Sequence, residues 1–443
     1  MTDTRIFRRK KTYNLFRGLP LSPKQARSLV RSTAKFNIWN GAIRSGKTFT
    51  TQLRWLQYLA NAPKGGDFVM VGRTRDSIAR NVIGPMQDPN IFGQFADHVK
   101  YTSGAPFAMI MGVRVYVLGA SDAKAEKVIR GMTLAGAYVD EITILSQEFF
   151  TQLIGRLSVP GAQLFGTTNP DNPEHWLKKN YLDKIGPNKK KGELWNWKAW
   201  FFQLTDNPTL TSGYRQTLES SFHGLFYKRF VLGQWVAAEG AVYDIFNHQE
   251  HVKDIDELCG DDNPIIKYLC IGADYGTTNA TAAVLLGMTR NGELYVVDEF
   301  VYKPSDRALR KTDAQLSQAL REWVNKKHDQ YFPSAEEVPV ILDPAAASFH
   351  VQLRTDKTQT ISAVNDVLYG IRLVTALLGA GKLFINPRCT NLISEFSGYT
   401  WDPKATAEGR DAVIKTNDHS LDALRYSIST TEKIWRRFID ISA

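Results

Sequence analysis

The octapeptide "GAIRSGKT" (41–48) fits the pattern G-x4-G-K-[ST] and grows out of a strand-like stretch, "FNIWNG". Glycines in such a turn let successive backbone N–H groups curl round phosphate oxygens, and a helix that starts at the lysine adds its partial positive charge. Read this way, Gly41, Ala42, Ile43, Arg44, Ser45 and Gly46 form the cradle, Lys47 reaches the β- and γ-oxygens, and Thr48 holds Mg²⁺. The chemistry needs a second acid at the end of a neighbouring strand, and "LAGAYVDEIT" supplies Asp140 for Mg²⁺ through water and Glu141 to polarise the attacking water. ATP hydrolysis is the reaction this pair of motifs predicts. Arg44 is expected to stabilise charge on the γ-phosphate, the alternative being contact with solvent or another subunit. In "LFGTTNP", Thr167, Thr168 and Asn169 stand at the tip of a further strand, suited either to sensing the γ-phosphate or to capping a turn.

A second set of residues points to different chemistry. Asp274 closes the apolar run "YLCIGAD", Asp343 closes "VPVILD", and Asp418 and Asp422 lie four apart at the start of a helix, hence on one face. Unpaired carboxylates are disfavoured in sheets, and like charges close together cannot all stay ionised without compensation. Two divalent cations roughly 4 Å apart would compensate them, activating a water and stabilising the leaving oxygen of a phosphodiester. His419 is either a further ligand or a surface residue. Each acid also has a plainer reading, Asp343 as the start of a turn before Pro344 and Asp418 as a helix cap. Asp298 and Glu299 end another strand and are placed outside the site.

The elements that must position these groups alternate in the first part of the chain. A helix begins at Pro23 with Ser22 as its cap, and strands are predicted at "FNIWNG", "DFVMVGR", "RVYVLGA", "LAGAYVD" and "AQLFGTTN". Helical stretches such as "KTFTTQLRWLQYLANA", "SIARNVIGPMQ" and "EFFTQLIGRL" separate them, which implies a mostly parallel sheet covered on both faces. From about 171 the texture changes to a lysine-rich loop, the aromatic "LWNWKAWFFQL" and the helical "SGYRQTLESSFHGLFYKRFVLGQW". Residues 236–264 are turn-rich and read as a linker. Then come three strands at 268–274, 280–288 and 293–301 joined by short turns, so antiparallel, followed by a long helix, two further strands and a last helix from about 418. The expected organisation is a P-loop core with a basic arm over 1–170, an appended lid-like subdomain over 171–235, the linker, and a mixed-sheet domain over 265–443.

Composition sets the bounds. With 443 residues, two domains are the natural expectation, and 43% hydrophobic with 23% charged residues describes a folded protein. The formal charge of +10 admits a polyanionic partner without requiring one. Three scattered cysteines fit no zinc or disulfide pattern, and no window approaches the ~20 apolar residues of a membrane span. A soluble intracellular protein is expected. Lys178, Lys179, Lys184, Lys189, Lys190 and Lys191 either grip DNA phosphates or are simply solvated. Trp195, Trp197 and Phe201 alternate as on one face of a strand, and core packing is favoured over base stacking. Arg5, Arg8, Arg9, Lys10 and Lys11 form a basic arm with no assigned contact.

Together "GAIRSGKT", "YVDEI", "GTTNP", "GQWVAAEGAVYDIF", "IGADYG" and "DHSLDALRY" resemble the large subunit of tailed-phage terminases over nearly the whole chain. The resemblance implies an ATPase that translocates double-stranded DNA into procapsids, joined to a ribonuclease H-like, Mg²⁺- or Mn²⁺-dependent endonuclease that cuts concatemers. Lys47, Thr48, Asp140 and Glu141 would take the ATPase roles, Thr167 to Asn169 the coupling role, and Asp274, Asp343 and Asp422 the nuclease roles, with His419 a possible further ligand. Many relatives carry Glu where Asp343 stands. Implied partners are the portal protein, the small terminase subunit and copies of the chain in a ring, in the cytoplasm of a bacterial host and away from membranes. The competing reading is a helicase or translocase with an appended nuclease, acting in repair or recombination.

Overall fold

The structure, a computed structural model, describes residues 19–121, 123–186, 194–254, 269–276, 280–289, 291–303, 310–331 and 338–441. The basic arm, Lys189, Lys190, Lys191, Cys259 and most of the turn at 276–279 lie outside these residues. The chain divides into two units. One reaches to Arg215 and adds Tyr227–Ala237 and Ala407–Arg410; the other contains Gln216–Phe226, Ala238–Thr406 and the chain from Asp411 onward.

The first unit is built on eight strands: β1 (Phe36–Gly41), β2 (Asp67–Gly72), β3 (Val99–Lys100), β4 (Phe107–Ile110), β5 (Val113–Gly119), β6 (Leu134–Val139), β7 (Gln163–Thr168) and β8 (Trp197–Phe202). Their order is β3-β4-β5-β2-β6-β7-β1-β8, parallel except where β4 meets β3 and β5. Strand β6 is buried at every position, as an apolar run covered on both faces must be. Helix α1 (Pro23–Arg31) starts as expected, with Ser22 and Gln25 closing a reciprocal cap. Helix α2 (Lys47–Ala60) buries Leu53, Trp55, Leu56 and Leu59. Trp55, Tyr58, Phe68, Tyr138 and Phe165 form an aromatic cluster beneath it, with centroids 5.1 to 6.3 Å apart. Each ring buried there contributes about 2–3 kcal/mol. This core ties α2 to the sheet and so fixes the loop that precedes it.

"SIARNVIGPMQ" is helical as expected from Ser77 to Met86, with a π-turn at Ala79–Ile83 between Arg75–Ile78 and Gly84–Met86; Pro85 has no N–H to continue an α-helical ladder. Two expectations for this part of the chain are corrected. The long helix expected after 211 ends at Ser221 and resumes at Gly224, whose φ of 51° breaks it. Of the alternating aromatics only Trp197 packs inward, stacked 4.2 Å from Phe36; Trp195 is 80% and Phe201 40% exposed. Strand β8 is an edge with β1 as its one neighbour, so only part of it is covered.

The second unit has six strands: β9 (Leu269–Asp274), β10 (Thr281–Met288), β11 (Leu294–Tyr302), β12 (Val340–Leu342), β13 (Thr360–Ser362) and β14 (Leu383–Ile385). The order is β13-β12-β9-β10-β11-β14, with β9, β10 and β11 an antiparallel meander and the outer pairings parallel. Helices α3 (Asp313–Tyr331), α4 (Ala347–Thr355), α5 (Val367–Gly379), α6 (Thr390–Gly398) and α7 (His419–Thr430) accompany it. Strand β13 was not expected; "TIS" has one large apolar residue, where the equally short β12 and β14 are wholly apolar. Helix α7 lies on β9, β10 and β12. Contact at Gly272 is direct: a Cβ there would meet Ala423 O and Ser427 Oγ at 2.1 Å. The bare backbone of β9 thus lets α7 settle against the sheet.

Candidate active sites

In the first unit β1, β6 and β7 end side by side, where parallel sheets place their ligand crevices. Gly41 closes β1 at φ 139°, and a Cβ there would stand 1.9 Å from Phe202 O, so only glycine fits. Ala42 N–H donates to Phe202 O and Ile43 N–H to Phe230 O, both at 2.8 Å. Arg44 is exposed in the left-handed region at φ 52°, and its carbonyl accepts from Asn207 Nδ2 at 2.7 Å. Ser45 is buried and donates to Ala42 O at 2.7 Å, bracing the turn from within, and Gly46 caps α2.

Lys47 is buried, and Nζ donates to Gly41 O and to Asn169 Oδ1, each at 2.9 Å, and to Ala42 O. Burial pulls its pKa down to about 8, against the upward pull of the Glu141 and Asp140 carboxylates. Burial, with the charge of Glu141 beside it, lifts Asp140 to about 6; the Thr167 hydroxyl, donating at 3.0 Å, and Lys47 work the other way. Glu141 takes φ 56°, a strain of about 1–3 kcal/mol. Its carboxylate accepts from Thr143 Oγ1 at 2.7 Å, Thr168 Oγ1 at 3.4 Å, Asn169 N–H at 2.7 Å and Asn169 Nδ2. Asn169 therefore bridges the lysine and the glutamate. A cavity of about 220 Å³ opens among Ile43, Arg44, Lys47, Thr48, Asn81, Asp140, Glu141, Thr167 and Asn169. Sequence reading missed Asn81, which the π-turn brings in, and Gln25, whose Nε2 donates to Ser45 O at 3.4 Å. Neither carries a local signal.

In the second unit Asp274 ends β9, Asp343 follows its parallel neighbour β12, and α7 crosses both carrying Asp422, with Asp418 and His419 at its start. All five residues reach the same end of the sheet. Asp274 Oδ2 lies 2.8 Å from His419 Nδ1. That bond raises the His419 pKa, burial opposing it; burial raises Asp274, the His419 bond opposing and the charges of Asp422 and Asp418 adding. Asp422 accepts from Lys415 Nζ at 2.7 Å on one oxygen and from Arg425 Nη2 on the other, and Lys415 Nζ is 3.1 Å from Asp418 Oδ2. Asp343 accepts from Ala345 N–H at 2.7 Å, Tyr426 OH at 3.1 Å and Asn365 Nδ2 at 3.2 Å. Partial burial pushes Asp343 up, yet these bonds hold it below the usual carboxylate range. Burial and the charges of Asp422, Asp274 and Asp343 push the Tyr426 phenol up.

The expectation that several carboxylates share a few ångströms is thus modified. The donors suit a hard divalent cation; Asp274, Asp343 and Asp422 are hydrogen-bonded by protein groups, whereas Asp418 Oδ2 lies buried in ion-pair range of Lys415 without a hydrogen bond. Among the described residues no three His, Cys, Asp or Glu side chains gather closely enough to hold a metal ion. Asp298 and Glu299, placed outside the site, act as acceptors: Asp298 from Trp323 Nε1 at 3.2 Å, and Glu299 from Asn391 and Leu392 N–H at 2.7 and 2.9 Å, capping α6. Glu395, also missed, accepts from Leu421 N–H at 2.8 Å, and burial lifts its pKa to about 7. In the basic segment Lys178 pairs with Asp183 at 2.5 Å and Lys179 with Glu174 at 2.9 Å; Lys184 is exposed.

Two family profiles match the chain: "Terminase large subunit, T4likevirus-type, N-terminal" over residues 38–250 and "Terminase RNAseH like domain" over 274–430. The terminase large subunit of Escherichia phage T5 is 25% identical over 291 residues, 63% of this chain and 61% of that protein, so the match spans under two thirds of the T5 protein's length. The crystal structure of the large terminase from a thermophilic bacteriophage is 32% identical, with a TM-score of 0.81, covering 93% of this chain and 99% of that one. The same phage protein solved with ADP gives 32% identity and a TM-score of 0.80 over 94% of this chain and 100% of that one. Solved with ATP-γ-S it gives 32% and 0.78 over 92% and 98%.

Proposed function

The chain belongs to the family of phage terminase large subunits, with a ribonuclease H-like domain at its C-terminal end, and from that premise we propose that it is an ATP-driven DNA-packaging motor and endonuclease. One observation supports the reading: a cavity lined by Lys47, Thr48, Asp140 and Glu141 in one unit and an acid cluster in the other, on a single chain. The nucleotide complexes of the phage relative support ATP as the ligand of the first.

In the pocket all three N–H donors of Lys47 are engaged, by Gly41 O, Ala42 O and Asn169 Oδ1. A β/γ-phosphate competes for these donors, and any bond lost from Asn169 alters the grip of Asn169 on Glu141. That exchange is the link between nucleotide occupancy and the water-polarising carboxylate. Thr143 and Asn169 aim Glu141, and Arg44 stabilises charge developing on the γ-phosphate. Thr48 and Asp140 are the groups for Mg²⁺, which neutralises the phosphate oxygens when bound.

The second unit is assigned as a Mg²⁺- or Mn²⁺-dependent endonuclease using Asp274, Asp343, Asp418, His419 and Asp422. As folded, no three of these side chains gather closely enough to enclose a cation. Double-stranded DNA, the portal protein, the small terminase subunit and further copies of the chain in a ring are the proposed partners, in the cytoplasm of the phage's host. No helix among the described residues is long and apolar enough to cross a membrane. The test is packaging itself: DNA should become nuclease-protected inside portal-bearing procapsids with ATP and this chain, and not with Lys47→Ala. ATP hydrolysis that portal-bearing procapsids fail to stimulate would count against packaging and for a repair translocase.

A further inference from the structure

The acid cluster of the second unit already carries cations of two kinds. Arg425 is built into the core, its side chain 2% exposed, and holds one oxygen of Asp422. Lys415 comes from the irregular segment before α7, and its side chain is 52% exposed. Its Nζ nevertheless lies 2.7 Å from Asp422 Oδ2 and 3.1 Å from Asp418 Oδ2, two carboxylates only 10% and 7% exposed. The two acids sit one turn apart and converge on the ammonium. A guanidinium packed among Tyr243, Tyr399 and Asp422 cannot leave without stranding a buried carboxylate and opening the core, whereas a lysine on a flexible, half-exposed stem can.

We infer that Lys415 is a displaceable counter-ion: its ammonium occupies the cation position between Asp418 and Asp422, and a divalent metal enters the cluster only by expelling it. The inference rests on reading this cluster as the nuclease metal site. It accounts for two observations together. Asp274, Asp418 and Asp422 lie within one another's fields, so in the absence of metal they need positive charge nearby. Among the described residues no third acid joins Asp418 and Asp422 around a shared point, and those two face Nζ. Lys415 thereby sets the metal concentration at which the site fills, and holds the nuclease unit empty below it.

The test is Mn²⁺ binding to the full chain without nucleotide, by titration calorimetry, for the parent, Lys415→Met, Lys415→Arg and Asp422→Asn. Removing one competing charge a few ångströms from the ligands should tighten Mn²⁺ binding about tenfold in Lys415→Met. Lys415→Arg should stay close to the parent, and Asp422→Asn should lose the site. Equal or weaker binding by Lys415→Met, with Asp422→Asn still deficient, overturns the counter-ion role and leaves the metal site standing. Mn²⁺ binding indifferent to Asp422→Asn removes the metal site, and the inference with it. A second measurement needs no variant: acetylation of Lys415 in the parent chain, followed by mass spectrometry, should run several-fold faster with saturating Mn²⁺. An unchanged rate refutes displacement.

Discussion

Asn169 shows how much one uncharged side chain can govern: its carbonyl oxygen accepts a hydrogen bond from Lys47, while its backbone and side-chain N–H groups donate to Glu141. Asn169→Ala removes both side-chain bonds but leaves the phosphate cradle intact. We expect ATP turnover to fall by about 10²-fold or more, with ADP affinity within a few-fold of the parent, measured by steady-state kinetics and calorimetry. Glu395 allows a test by pH. Its carboxyl, ordinarily at 4.5, is raised to about 7 in the folded chain, so the unfolded chain releases the proton first. The stability this proton supplies is complete below pH 4.5 and gone once the pH has risen past about 7. Glu395→Gln keeps an acceptor for Leu421 N–H but cannot ionise. It should melt like the parent near pH 4.5 and be more stable at pH 8, by about 1–2 kcal/mol after discounting for solvent screening. A parent and variant that melt together at pH 8 would refute the shift.

Among elements, α7 matters most to the acid cluster. It carries Asp422, Arg425 and Tyr426, and its position depends on the missing side chain at Gly272. Gly272→Ala drives a methyl into Ala423 O and Ser427 Oγ, which has no room to yield without shifting the helix. The expected cost is about 1–3 kcal/mol in denaturant unfolding of the second unit. Plasmid nicking should be lost while ATP hydrolysis is retained. Stability and nicking both unchanged would mean that α7 is held by something other than this contact. In the first unit the comparable element is the π-turn Ala79–Ile83, which carries Asn81 to the cavity beside Lys47 and Glu141 by adding a residue to the ladder.

For the whole molecule, division into two units implies separable chemistry. Lys47→Ala should abolish ATP hydrolysis and leave Mn²⁺-dependent nicking measurable; Asp274→Ala should do the reverse. Joint loss in either variant, in protein shown to be folded, would refute that independence. Excess EDTA should silence nicking, and undiminished cutting would remove the metal requirement.

Much of this architecture was readable in advance, for a physical reason. The loop at 41–48 depends on backbone turns and a helix start within eight residues, so glycines, lysine and spacing specify its shape locally. The acids at the ends of β6, β9 and β12 were legible because apolar runs mark strands, and a charge ending such a run stands at a sheet's rim. The compensation was not legible. Whether Asp274 meets a metal or His419, 145 residues away, is a matter of distances between side chains on separate elements. The same holds for Lys415 between Asp418 and Asp422, Tyr426 on Asp343, and the exposure of Trp195 just before β8. Periodicity and spacing report what neighbouring residues do to one another along the chain. Charge balance depends on where distant segments come to rest, and only packing places them.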